Sequence, residues 1–281
     1  MEFSRRIGVS TDSFYDISLD EAIDLLQKAE FGTFEIIPAD YMGAGGYPYS
    51  ALNPGMWMRD FGQSQRRELR KKLGCFDLVT VHAPHLGINV NSRNPGIAEE
   101  SIRQCIECFE FAHDIGSRMV TFHNYGLEFA RIATRYAHQY DVQTGYENGP
   151  ASGGLIDTIE EIDDGRFGLL IDVGHTVNGH HDPAKLIEEN SDKLVEVHIS
   201  GGVYRSEHRF PIDGWGMDHF PFELNDGVDY PSIVNKLDKV GYQGPIILEI
   251  CYARYAHEII EYCKRAKQEL VSIHDRLHSA G

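Results

Sequence analysis

No apolar run in the sequence approaches the roughly 18 residues that a membrane-spanning helix needs. The chain does not open on an apolar segment of the secretory type, and its five cysteines (Cys75, Cys105, Cys108, Cys251 and Cys263) are odd in number. These absences predict a soluble protein in a reducing, cytoplasmic setting. Cys105 and Cys108 form a CxxC, but they fall on one face of a helical pattern, which favours a buried pair over a redox or zinc site. Basic residues are scarce: 26 Lys and Arg stand against 43 Asp and Glu, a formal charge of -17. The average field therefore repels phosphate backbones and anionic membrane surfaces, which argues against a nucleic-acid or membrane partner. A GxGxxG after the first strand run and a P-loop are also missing, so an open nucleotide-binding sheet becomes the second choice of fold. No linker or shift of composition divides the chain.

What is present is alternation. Short β-branched runs, RIGVST (6–11), TFEIIPA (33–39), LVTVHAP (78–84), MVTFHNY (119–125), VQTGYEN (142–148), FGLLIDV (167–173), LVEVHIS (194–200) and PIILEI (245–250), are separated by amphipathic stretches. SLDEAIDLLQKAEF carries a Ser18/Glu21 capping box ahead of an Ile23, Leu26, Ala29 stripe. The weakest helical segment, FARIATRYAHQY, is expected to be a short crossover. Eight βα units in about 250 residues predict one (β/α)8 TIM barrel domain over 1–281. Two insertions, 40–58 and 201–229, fall at βα junctions, where barrel enzymes build their sites.

The polar residues repeat a position. His82, His123, Glu147, Asp172, His198 and Glu249 each stand near the C-terminal end of a strand run. Such groups converging on one mouth need neutralising, and carboxylate oxygens and imidazole nitrogens are ligands for Mn, Zn, Mg, Co or Fe. His85, His113, His138, His257, His274 and His278 fall on helices or loops without matching partners and are expected to be ordinary satisfied residues.

With these residues in place, the chain resembles the xylose isomerase-like barrel superfamily, which holds sugar-phosphate isomerases and epimerases, inosose dehydratases and an apurinic endonuclease branch. EFGTFEI (30–36, with Glu35), VHAPH, TFHNYG, YENGP, IDVGHT, VHISG and LEI follow in family order over nearly the whole chain. The resemblance implies a divalent metal held by Glu147, Asp172, His198 and Glu249. It also makes Glu147 and Glu249 the acid/base pair that exchanges a proton through an enediolate on a sugar, sugar phosphate or cyclitol. His82, His123, His175 and His219 match the extra histidines of the endonuclease branch and are candidates for a second metal or for substrate hydroxyls. In that branch an Asp-x-His pair follows the seventh strand, whereas Met217 stands two before His219 here and the aspartate is the adjacent Asp218. Neighbours in an extended segment face opposite ways, so both could meet one metal only through a turn.

The loop residues Tyr41, Met42, Tyr47, Tyr49, Trp57 and Trp215 are candidates to wall a sugar pocket, and Arg205 and Arg209 to receive a phosphate or carboxylate. The reading is a metal-dependent isomerase, epimerase or dehydratase of a small polyol. The alternatives are an endonuclease IV-like multi-zinc phosphodiester hydrolase and a non-catalytic barrel subunit. Homo-oligomerisation is compatible with such a barrel.

Overall fold

Each of the apolar runs folds as a strand slightly shorter than the run. The computed structural model describes residues 1–14, 17–38, 57–85, 87–149, 154–202, 219–225, 227–251 and 256–279. Its strands are β1 (Ile7–Ser10), β2 (Thr33–Ile36), β3 (Leu78–His82), β4 (Met119–His123), β5 (Gln143–Glu147), β6 (Phe167–Asp172), β7 (Leu194–Ile199) and β8 (Ile246–Leu248). They close in sequence order into a parallel barrel, with β8 pairing back onto β1. Prolines account for part of the shortening: β3 stops at His82 ahead of Pro84, and β8 begins after Pro245, because proline has no N–H for the ladder.

The helices around the barrel are α1 (Phe3–Arg6), α2 (Leu19–Lys28), α3 (Gln63–Leu73), α4 (Pro95–Ile115), α5 (Leu127–Tyr140), α6 (Leu155–Ile162), α7 (Val173–Asn178), α8 (Pro183–Glu189), α9 (Tyr230–Lys239) and α10 (Ala256–Ser279). The expected capping box starts α2: Glu21 N–H donates to Ser18 Oγ at 3.3 Å and Ser18 N–H to the Glu21 carboxylate at 2.8 Å. The segment expected to be weakest is a firm 14-residue helix, α5, because Phe129, Ala130, Ala133 and Ala137 bury one face. Cys105 and Cys108 are both 0% exposed on α4, in the core. Among the described residues no helix is long and apolar enough to cross a membrane.

Strand alternation divides the barrel into two phases. The outward phase packs on the helices: Val9, Phe34, Val81, Phe122, Tyr146, Ile171, Val197 and Leu248 are all 0% exposed. Burying each such side chain contributes roughly 1.5–3 kcal/mol. The inward phase is polar for a barrel core, with Ser10, Glu35, Thr80, Thr121 and Glu196 beside Gly145, Leu170 and Ile247. Following that phase two residues further leads to His82, His123, Glu147, Asp172, His198 and Glu249. The period that fills the barrel thus also delivers the mouth.

The glycines of the inward phase let β5, β6 and β7 approach. A Cβ on Gly168 would lie 2.3 Å from Val195 Cγ1 and 2.4 Å from Lys193 O, and one on Gly145 2.7 Å from Gly168 O. An irregularity between Leu169 and Leu170 then shifts the β6–β7 register so that Asp172 stands opposite His198.

Candidate functional site

Glu147 ends β5, Asp172 ends β6, His198 lies one residue before the end of β7, and Glu249 follows β8 directly. One ligand atom from each of the four comes within 4.8 Å of every other, and all four residues are buried. His198 lies between two carboxylates: Nδ1 is 3.0 Å from Glu249 Oε2 and Nε2 is 3.1 Å from Glu35 Oε2. Burial alone would lower its pKa, but the charges and hydrogen bonds of Glu35 and Glu249 outweigh burial and hold it well above the usual imidazole range.

Asp172 has two tasks. Its Oδ1 caps α7 by accepting the His175 N–H at 2.5 Å. Its backbone is clamped by Asn148, whose Oδ1 accepts the Asp172 N–H at 2.8 Å and whose Nδ2 donates to Thr176 Oγ1 at 3.0 Å. Among the described residues Asp172 Oδ2 has no hydrogen-bond partner, and the residue is 0% exposed. A buried carboxylate oxygen left unsatisfied is costly, and burial raises the Asp172 pKa despite His175 and His219. Three carboxylates and an imidazole, one oxygen still lacking a partner, fit a divalent cation with oxygen and nitrogen ligands.

A second group adjoins the first through Glu147. His82 Nε2 lies 3.0 Å and His123 Nε2 3.1 Å from Glu147 Oε2, while His175 Nδ1 is 3.2 Å from Oε1. Burial would raise the Glu147 pKa, but His123, His175 and His82 together hold it well below the ordinary carboxylate range. His82 Nδ1 meets the Ala83 carbonyl at 2.7 Å, an acceptor only, so that nitrogen carries a proton. Its Nε2 then faces Glu147, and against the cost of burial this pairing pushes the His82 pKa up to about 9. Ligand atoms of His82, His123 and Glu147 also lie within 4.8 Å of one another. His219 joins the rim with its ring 5.5 Å from that of His175 and Nδ1 3.8 Å from Glu249 Oε2. Its φ of 60° supplies a local turn at the histidine itself.

Three residues belong here that the sequence reading left out or left without a role. His85, assigned to the ordinary histidines, stacks on His123 at 5.0 Å and 19°. Burial, followed by the charges of His123 and His82, pushes its pKa down to about 3, so it is a neutral imidazole. Glu35 lies behind His198. Glu196 is 0% exposed in the layer below, and burial with the Glu35 charge raises its pKa to about 8. A repeat of polar residues at i and i+2, Thr80/His82 and Glu196/His198, is the signal that could have found the lower layer.

The remaining candidates divide. Arg205, Arg209, Trp215, Met217 and Asp218 lie outside the described residues, as do Tyr41, Met42, Tyr47 and Tyr49. Trp57 is half-buried ahead of the short turn Met58–Asp60. His113 meets the Tyr140 carbonyl at 2.8 Å and His138 meets Asp164 Oδ2 at 2.8 Å, satisfied as expected. His274 and His278 do have a matching partner, Asp238, contrary to expectation, because α9 and α10 bring together residues far apart in sequence.

A family model described as a xylose isomerase-like TIM barrel matches residues 23–271. An uncharacterized protein of Methanocaldococcus jannaschii is 24% identical over 267 residues, covering 87% of this chain and 88% of its own. The solved structure of a D-tagatose 3-epimerase-like protein is similar with a TM-score of 0.68 at 19% identity, over 96% of this chain and 98% of its own. That of an L-ribulose 3-epimerase is similar with a TM-score of 0.70 at 15% identity, over 98% of this chain and 96% of its own.

Proposed function

Because the chain belongs to the xylose isomerase-like TIM barrel family, we propose that it is a divalent-metal-dependent isomerase or epimerase of a sugar, sugar phosphate or cyclitol. The observation that carries this reading is the convergence of Glu147, Asp172, His198 and Glu249 within 4.8 Å. The likeness to a D-tagatose 3-epimerase-like protein and to an L-ribulose 3-epimerase supports the substrate class.

When bound by those four residues, the cation supplies Lewis acidity toward a carbonyl and a neighbouring hydroxyl of the substrate. The protein does the rest. Glu147 and Glu249 are held ionised, since their histidine partners outweigh the effect of burial, so each has a carboxylate oxygen able to accept a proton from carbon. Two such carboxylates on different strands allow removal by one and return by the other, as an inversion at carbon requires. His85, neutral on the face of His123, and His175, at the start of α7, offer imidazole nitrogens to substrate hydroxyls.

The test is solvent exchange. A panel of ketoses, their phosphates and cyclitols is incubated in D2O with Mn²⁺ and followed by NMR. Deuterium should enter at one carbon of at least one substrate, and Glu249→Gln should slow this by about 10²–10⁴-fold. A multi-zinc phosphodiester hydrolase is the second reading, favoured by the His82, His123 and Glu147 group. Absence of exchange across the panel, with two tightly held zinc ions and cleavage of abasic DNA, would establish that reading instead. Metal binding with neither reaction would favour a non-catalytic barrel.

A further inference from the structure

Helices return the chain from the C-terminal to the N-terminal ends of the strands, so the last turns of α9 and α10 lie at the pole opposite the mouth. There Asp238, near the end of α9, faces His274 and His278, one turn apart on one side of α10. Asp238 Oδ1 is 3.2 Å from His278 Nε2 and 3.9 Å from His274 Nε2, and the two rings are 4.5 Å apart. Tetrahedral coordination with bonds of about 2.0–2.1 Å sets ligand atoms about 3.3 Å apart. The two carboxylate–imidazole separations bracket that spacing closely, and ligand atoms of all three residues lie within 4.8 Å of one another.

Other features fix the arrangement. The His274 ring stacks on Phe3 of α1 at 4.3 Å and 9°, and its Nδ1 faces Asp275 Oδ1 at 3.7 Å, the side on which metal-binding histidines commonly meet a carboxylate. Both helices end here, and the negative ends of their dipoles favour a cation. Among the described residues no Lys or Arg forms an ion pair with Asp238.

We propose that Asp238, His274 and His278 form a second metal site that takes a divalent transition cation such as Zn²⁺, with water completing its shell, and clamps the last turn of α10 to α9. Two imidazoles select against Mg²⁺ and Ca²⁺, which take oxygen ligands.

Tag-free full-length protein is stripped with chelator and titrated with Zn²⁺ by calorimetry and by thermal denaturation, in a Glu147→Gln/Asp172→Asn background, which takes the shared carboxylate from both mouth groups. The parent should keep one zinc equivalent of roughly micromolar affinity. His278→Gln and Asp238→Asn should each weaken it by more than about tenfold, since losing a ligand costs more than losing an outer-shell partner. The zinc-induced rise in Tm, about 5 °C in the parent at zinc 100-fold above its Kd, should fall by roughly 2 °C or more in both variants. A purely structural hydrogen bond would lower Tm without zinc and leave zinc affinity unchanged, which overturns the proposal. Filling only at millimolar zinc with no change in Tm overturns it as well.

Discussion

His198 shows how one residue ties the site to the barrel beneath it. With Nδ1 turned to Glu249 and Nε2 to Glu35, a carboxylate behind the ring fixes its orientation and raises its basicity toward whatever meets Nδ1. Glu35→Gln keeps the size and removes the charge. The expected outcome is a 10–100-fold loss of metal affinity, read by competition with a chelator; unchanged affinity would remove Glu35 from this role. Glu196 predicts a pH effect in the metal-free protein. Its folded pKa of about 8 lies above the reference value of 4.5, so the folded state binds more protons between those values and stability falls as pH rises through that window. Thermal denaturation should find Glu196→Gln close to the parent at pH 5 and more stable at pH 8. A difference independent of pH would contradict the assignment. Asp172 was legible from sequence because an acid ending an apolar run stands out; Glu196 was not. In LVEVH the interior glutamate reads as the exposed phase of a half-buried strand, and only barrel closure makes that phase the inside.

Within the barrel, β5, β6 and β7 approach one another closely at Gly145 and Gly168, and a small substitution there should be costly. Gly168→Ala would place a methyl 2.4 Å from the Lys193 carbonyl oxygen, and the backbone there cannot yield as a side-chain end could. Denaturant unfolding should show a loss of about 1–3 kcal/mol or more. Gly96→Ala on the exposed first turn of α4, where an added Cβ would lie 3.5 Å from Asn94 Oδ1, should be neutral or stabilise by up to about 1 kcal/mol. Equal losses would mean that the strand approach is not tight. The strands were readable because apolar runs and punctuating prolines mark them. The 6-residue α7 was not, since it is too short to show a period and its signal is the cap itself, Asp172. His85 was set aside because a loop residue gives no hint of a stacking partner on another strand.

Over the whole molecule, titratable clusters stand at two poles, a buried one at the mouth and, at the foot, half-buried His274 beside exposed His278. The core between them fixes which thiols are reachable. Cys105, Cys108 and Cys263 are 0% exposed, while Cys75 and Cys251 are partly exposed. A thiol reagent should therefore label Cys75 and Cys251 quickly in the native protein and all five cysteines only after unfolding, counted by mass spectrometry. Fast labelling of Cys105 or Cys108 would contradict the packing of α4. The barrel and the order of the mouth residues could be read from the chain because each strand repeats one pattern. The foot could not, because Asp238 and His278 meet only after β8 has closed the barrel. The central claim, that Glu147, Asp172, His198 and Glu249 hold one cation together, is tested most directly by anomalous diffraction from crystals grown with Mn²⁺. A peak at the mouth within about 2.3 Å of all four side chains is the predicted result. A mouth without a peak at saturating Mn²⁺, or a peak bound by His82 and His123 but not by Asp172 and His198, would contradict it.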